Sequence, residues 1–140
     1  MNILKKDTAL KLMIGLLSLV ILFHFCVLFE IISYKIVWAG KINSIEEMRV
    51  LELISILVNI LLIVVLYIKY KNISNQVSNR VINLIIWIFV FLFAINSIGN
   101  LFSKSLIEFI LGTGLTLISS LLCWIIVRED KKQNANDEMV

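Results

Sequence analysis

The chain has no proline, one histidine and two cysteines in 140 residues, and only 16% of it is charged. Each shortage excludes something. Without proline, nothing signals the broken helices from which many transporter sites are built. A single histidine, His24, cannot supply a histidine-rich di-metal hydroxylase site or an intrachain bis-histidine haem. Cys26 and Cys123 form no Cys-x-x-Cys pair, so redox chemistry is not signalled. Gly-x-Ser-x-Gly, a glycine-rich phosphate loop and His-Glu-x-x-His are also missing. The run Gly112-Thr113-Gly114 is not Gly-x-x-x-Gly; on a helix it reads as close packing against the third helix. Enzyme activity is accordingly the least favoured class.

What is present is oil. The chain is 60% hydrophobic, well above soluble domains. A bilayer core of roughly 30 Å needs about 20 apolar residues per helix. Residues 12–29, 53–68, 81–103 and 109–127 carry no formal charge. The expectation is an all-α integral membrane four-helix bundle. It forms one domain over residues 9–128, with helices at about 9–32, 45–70, 80–102 and 105–127. A polar lead, 1–8, precedes it, and a polar, mobile tail, 129–140, follows it. Lys5, Lys6 and Lys11 precede the first stretch as in a signal peptide, but it is too long and ends without a small-residue cleavage site. It reads as a retained helix.

Basic residues set the orientation. Lys5, Lys6, Lys11, Lys69, Lys71, Arg80, Arg128, Lys131 and Lys132 fall on one side, and Lys35, Lys41, Arg49 and Lys104 on the other. The positive-inside rule puts both termini in the cytoplasm of a multi-pass protein of the cell membrane. The net charge of +3 is read as basic flanks on anionic lipid; no nucleic-acid partner is expected. In this topology the two cysteines sit in opposite leaflets, so an intrachain disulfide is not expected. Residues 33–43, with Tyr34 and Trp38, are expected to fold back on the outer surface, where aromatic rings favour the interface. Gly40 offers a turn, and Ser44-Ile45-Glu46-Glu47 is a capping box in which Glu47 reaches back to Ser44.

Polar residues are costly in lipid unless they face the bundle interior or water, so their positions are informative. His24, Glu52, Ser55, Asn59, Asn96, Asn100 and Glu108 all fall in the outer half of the four helices. At about 100° per residue, Glu52, Ser55 and Asn59 form one stripe. Asn96, Gly99, Asn100 and Ser103 form another, and Glu108, Gly112 and Ser119 a third. These faces are expected to meet. The cytoplasmic half offers only Asn83, Thr116, Ser119 and Ser120 as conspicuous polar groups.

Two readings stand side by side. In one, these side chains are helix glue and the two glutamates reach outer water from helix N-termini. In the other, His24, Trp38, Glu52, Ser55, Asn59, Asn96, Asn100 and Glu108 line a ligand-binding pocket. A metal site of His24, Glu52 and Glu108 is chemically available, but the three lie on separate helices without motif spacing. No metal or cofactor is expected.

His24, Tyr34, Val37-Trp38-Ala39-Gly40-Lys41, Met48, Glu52, Ser55 and Asn59 occur in an order that resembles a group of small bacterial four-helix membrane proteins. There the loop reads roughly Trp-Gly-Gly-basic, and Ala39 departs from that pattern. The likeness covers about the first half of the chain. It implies a grouping of His24, Trp38 and Glu52 and names no reaction.

The leading expectation is a non-enzymatic accessory or sensor. Its outer-half pocket, roofed by residues 33–43, would bind a small or lipidic ligand, a membrane-protein partner or a second copy of the chain. The alternatives are a small proton-coupled oligomeric transporter working through Glu52 or Glu108, and a lipid-modifying membrane enzyme using His24 with Glu52.

Overall fold

In the computed structural model, residues 6–38, 41–75, 77–103, 105–106 and 108–137 are described. Among these, the chain is all helix and turn, without strands. The helices are α1 (Lys6–Leu28), α2 (Ile45–Ser74), α3 (Arg80–Asn100) and α4 (Thr113–Asp137). A short 3-10 turn, Tyr34–Ile36, lies between α1 and α2, and a π-helical turn, Glu108–Gly112, leads into α4. Four helical stretches are long and apolar enough to cross a membrane, the last being Phe109–Arg128. Their surfaces say the same: Leu19, Leu22, Leu57, Phe91 and Ile95 stand exposed, an apolar coat that a soluble monomer rarely shows.

α1 stops about one turn earlier than expected, for a local reason. The Glu30 N–H donates to the Val27 carbonyl and the Ile31 N–H to the Cys26 carbonyl, both at 2.9 Å. With Glu30 at φ 61°, this is a Schellman cap in which a glutamate takes the left-handed position that glycine usually fills. Arg49, at the start of α2, lies 3.5 Å from the Glu30 carboxylate. α2 begins where the capping box put it. Ser44 Oγ accepts from the Glu47 N–H at 3.1 Å, but Glu47 reaches back to the Asn43 N–H instead of that of Ser44. α3 starts at Asn79, whose side chain accepts from the Val81 and Ile82 N–H groups. α4 continues to Asp137, so the segment expected as a mobile tail is helical over most of its length. The expected turn at Gly40 lies outside the described residues.

α1 packs on α2, α2 on α3, α3 on α4 and α4 on α1. All neighbours are antiparallel. His24, late in α1, meets Glu52, early in α2; Lys69, late in α2, meets Asn83, early in α3; Ser97 and Val90 of α3 meet Thr113 and Ser120 of α4. The first turn of α1, the last of α2, the first of α3 and the last turns of α4 thus share one end, here the termini end. The opposite end is the distal end.

The seam follows a three-and-four spacing. α1 buries Leu10, Met13, Leu17 and Val27 with His24 on the same stripe; α2 buries Met48, Glu52, Asn59, Leu62, Leu66 and Lys69. That is the spacing of helices crossing at a shallow angle. The main core takes Leu10, Met13 and Leu17 from α1, Leu62 and Leu66 from α2, Ile82 to Phe93 from α3, and Leu122 to Val127 from α4. It sits at the termini end. A second, smaller cluster of Val27, Val37, Ile42 and Met48 joins α1 and α2 at the distal end to described residues of the segment between them.

Truncating a core side chain should therefore separate from truncating a lipid-facing one. Leu66→Ala or Ile126→Ala should lower stability by about 2–4 kcal/mol, while Leu19→Ala should change it by less than about 0.5 kcal/mol. Steric trapping in bicelles measures the difference, and equal losses would contradict the assigned faces.

Candidate functional site

Glu52 is eight residues into α2, on the seam, and only 1% exposed. The expectation that it could reach water from the helix start is thus overturned. Packing alone cannot keep a carboxylate there; its oxygens need donors. Both have one. His24 Nδ1 lies 2.5 Å from Oε2, and Trp38 Nε1 donates to Oε1 at 2.8 Å. Trp38 reaches in because its backbone adopts φ 57°, a left-handed conformation rare for a bulky residue. Strain of this kind persists where surrounding contacts over-determine it; here the Glu52 bond and the apolar cluster around Val37 and Met48 do so. Three sequence candidates, one from α1, one from the connection and one from α2, are thereby brought together.

His24 uses one ring nitrogen on Glu52. Its side chain keeps 15% of its exposure, and Nε2 has no hydrogen-bond partner among the described residues. One proton lies between the ring and the carboxylate whichever group carries it, so Nε2 is the atom left to meet a third group.

The remaining candidates divide. Asn59 is buried on the same stripe of α2, but its amide donates to the Ser55 carbonyl of its own helix at 2.7 Å; Ser55 is half-buried beside it. Asn100 is half-buried and lies against Gly112, where an added Cβ would come within 2.9 Å of its Nδ2. This is the close α3/α4 approach expected of the glycine pair, and it belongs to Gly112 alone, since Gly114 and Gly99 have open space around them. Asn96 does not join the site. It is exposed, because α3 presents Ile82, Ile86, Phe89, Val90, Phe93 and Ser97 to its neighbours. The face is decided by these interlocking rings and branched chains and by the Ser97 hydroxyl bonding to the Thr113 carbonyl. The expected Asn96, Gly99, Asn100, Ser103 face is thus rotated, with Asn100 kept at its edge. Asn96 lies about 6 Å from the end of α3, close enough to reach the interface. Glu108 begins the π-helical turn, and its side chain lies outside the described residues.

Other polar contacts were not foreseen. Ser120 Oγ donates across to the Val90 carbonyl at 2.9 Å, whereas Ser119, expected on the shared face, bonds to Leu115 of its own helix. At the termini end Lys69 is 3% exposed and donates to Asn83 Oδ1 at 2.5 Å. Its place on the seam, three residues after Leu66 and ten after Asn59, was the available signal; as a basic residue near a helix end it reads more readily as a flank. A cleft of about 230 Å³ between α1 and α2, lined by Asp7, Leu10, Tyr70, Ile73 and Ser74, is also at this end, remote from Glu52.

Contact between the connection and α2 should show as coupling. In a background lacking Trp87 and Trp124, Trp38→Phe and Glu52→Gln should each destabilise, and the double variant should lose less than their sum by about 1–2 kcal/mol. Additive losses would mean that the indole and the carboxylate are not partners.

No protein family, curated protein or solved structure matches this chain, so the likeness to small bacterial four-helix proteins rests on the quoted residues alone.

Proposed function

We propose that this chain is a non-enzymatic, multi-pass protein of the cell membrane, with both termini in the cytoplasm, that binds a small or lipidic ligand in the polar half of its bundle and serves as an accessory or sensor. The single observation behind this reading is the buried carboxylate of Glu52 with His24 and Trp38 on its oxygens. It is a costly arrangement in a membrane, in a layer where the bundle is thinly packed. α4 buries no described residue before Ser119, and α1 buries none between Leu17 and Val27. A helix bundle that closes tightly at one end and sets polar groups into a loose opposite end has the ingredients of a ligand site between helices.

The orientation rests on the same ends. Lys6, Lys11, Lys69, Lys71, Arg80 and Arg128 belong to the termini end, against Lys35, Lys41 and Arg49 at the distal end. The ligand layer then lies toward the outer face, roofed by the 33–43 connection. For Glu52, the geometry suits binding better than proton-coupled transport. A transport carboxylate must exchange its proton with both sides, and Glu52 has both oxygens engaged and almost no exposure.

Two outcomes are expected. A lipidic molecule should co-purify with the wild type in mild detergent and be lost, by native mass spectrometry, in His24→Ala and Asn59→Leu while thermal melts stay cooperative; unchanged retention in both variants would remove these residues from binding. A reporter active only in the cytoplasm should be active when fused after Val140 and silent when inserted after Lys41, and the reverse pattern would invert the topology.

A further inference from the structure

The antiparallel registers place the site more closely than any one contact does. His24 faces Glu52 between α1 and α2. Between α2 and α3, Lys69 faces Asn83; carried back along both helices, that register brings Glu52 level with Asn100. Between α3 and α4, Ser97 meets Thr113 and Asn100 meets Gly112. One layer of the bundle therefore contains His24, Glu52, Asn100 and the π-helical turn, with Ser97 and Thr113 about one turn deeper. Two groups there lack partners among the described residues. Thr113 Oγ1 is a buried hydroxyl without a hydrogen bond, and His24 Nε2 has none among the described residues. A buried polar atom without a partner calls for a water or a ligand, and π-helical turns recur at functional sites.

Charge narrows what such a ligand can be. Glu52 is the only Asp, Glu, Lys or Arg among the described side chains of the layer, and its two oxygens already meet His24 and Trp38. An anionic head would find no lysine or arginine to pair with among the described side chains of the layer, since Lys35, Lys41 and Arg49 are exposed at the distal end. A cationic head would have to displace the imidazole or the indole. Resting on the ligand-binding reading above, we infer that the ligand is an uncharged amphiphile whose hydroxyl or carbonyl head bridges His24 Nε2 and the Thr113 hydroxyl beside Asn100, with its tail along the exposed apolar helix faces. Both orphan groups are then satisfied by one head.

The test uses the full chain in nanodiscs, delipidated and offered dioleoylglycerol, dioleoyl phosphatidic acid and oleylamine in turn, with retention read by native mass spectrometry. Dioleoylglycerol should be retained at least about tenfold better than either charged probe, a difference of about 1.4 kcal/mol. Thr113→Val and His24→Leu should each reduce that retention by a similar factor, and Asn96→Leu, outside the layer, should not. Thr113→Val removes a hydroxyl without a hydrogen bond among the described residues, so its melting temperature without ligand should be unchanged or higher; a clear fall would mean that the hydroxyl is structural and would overturn the assignment. Preferential retention of the acid or the amine, lost in the same variants, would overturn the uncharged head and leave the ligand-binding reading standing. Retention of no probe by the wild type would overturn both.

Discussion

A carboxylate in the wall of an oily bundle governs the distal half of this molecule. Glu52 is held by an imidazole from α1 and an indole from the connection between α1 and α2. In lipid there is no water to replace either donor. These two bonds therefore fix the angle at which the connection folds back, the left-handed turn at Trp38 and the ring orientation of His24. The apolar cluster beneath the connection, Val27, Val37, Ile42 and Met48, can form because Trp38 is anchored. Neither half of the arrangement is complete without the other.

The two ends of the bundle are built by different forces. At the termini end, aliphatic and aromatic side chains from all four helices interlock, and the polar contacts, Lys69 with Asn83 and Ser120 with the Val90 carbonyl, are individual crosslinks in a packed core. In membranes such crosslinks are each worth only about 0.6 kcal/mol, so interlocking carries the association. At the distal end few residues of α3 and α4 are buried. Polar groups there stand where apolar packing would otherwise be. Ser97, Asn100, Gly112 and Thr113 tie α3 to α4, and Glu52 ties α1 to α2. In the distal half, polar contacts thus link α1 to α2 and α3 to α4, and little apolar packing lies between the two pairs.

Much of this was legible in the sequence, because lipid makes composition a strong signal. Four uncharged stretches implied four helices, and their number and order follow from length alone. Ser44 announced the start of α2 three residues ahead of Glu47. His24 and Glu52 could be read as polar residues in the outer half of facing helices, while the place of Trp38 beside them was implied only by the resemblance in the loop residues. What failed were rotations and ends. Asn96 and Asn100 are four apart and looked like one face, but ring packing at Phe89 and Phe93 turned α3 so that only Asn100 stayed near the seam. The end of α1 was missed because a glutamate, not a glycine, adopts the left-handed cap. Lys69 was missed because a lysine near a helix end is ordinarily a flank, and only the seam spacing argued otherwise.

These failures share a cause that bears on the site. A hydrophobic pattern in a membrane helix marks the span clearly but the face poorly, because lipid-facing and core-facing positions are equally apolar. Faces are then set by the few polar residues and by the fit of large side chains. Where the two agree, as on α2 with Met48, Glu52, Asn59, Leu66 and Lys69, the helix has one possible orientation. Where they compete, as on α3, the larger apolar set wins and a polar residue such as Asn96 is left outside, near enough to the helix end for the interface to receive it. Glu52 could not have been left out in that way, since the interlocking residues on either side of it hold the same stripe inward. Its burial is imposed by its helix, and the imidazole and indole are the answer the neighbouring segments supply. The nitrogen of His24 that faces away from Glu52 is consequently held in place by contacts that have nothing to do with a ligand, which is the condition for a preorganised binding group.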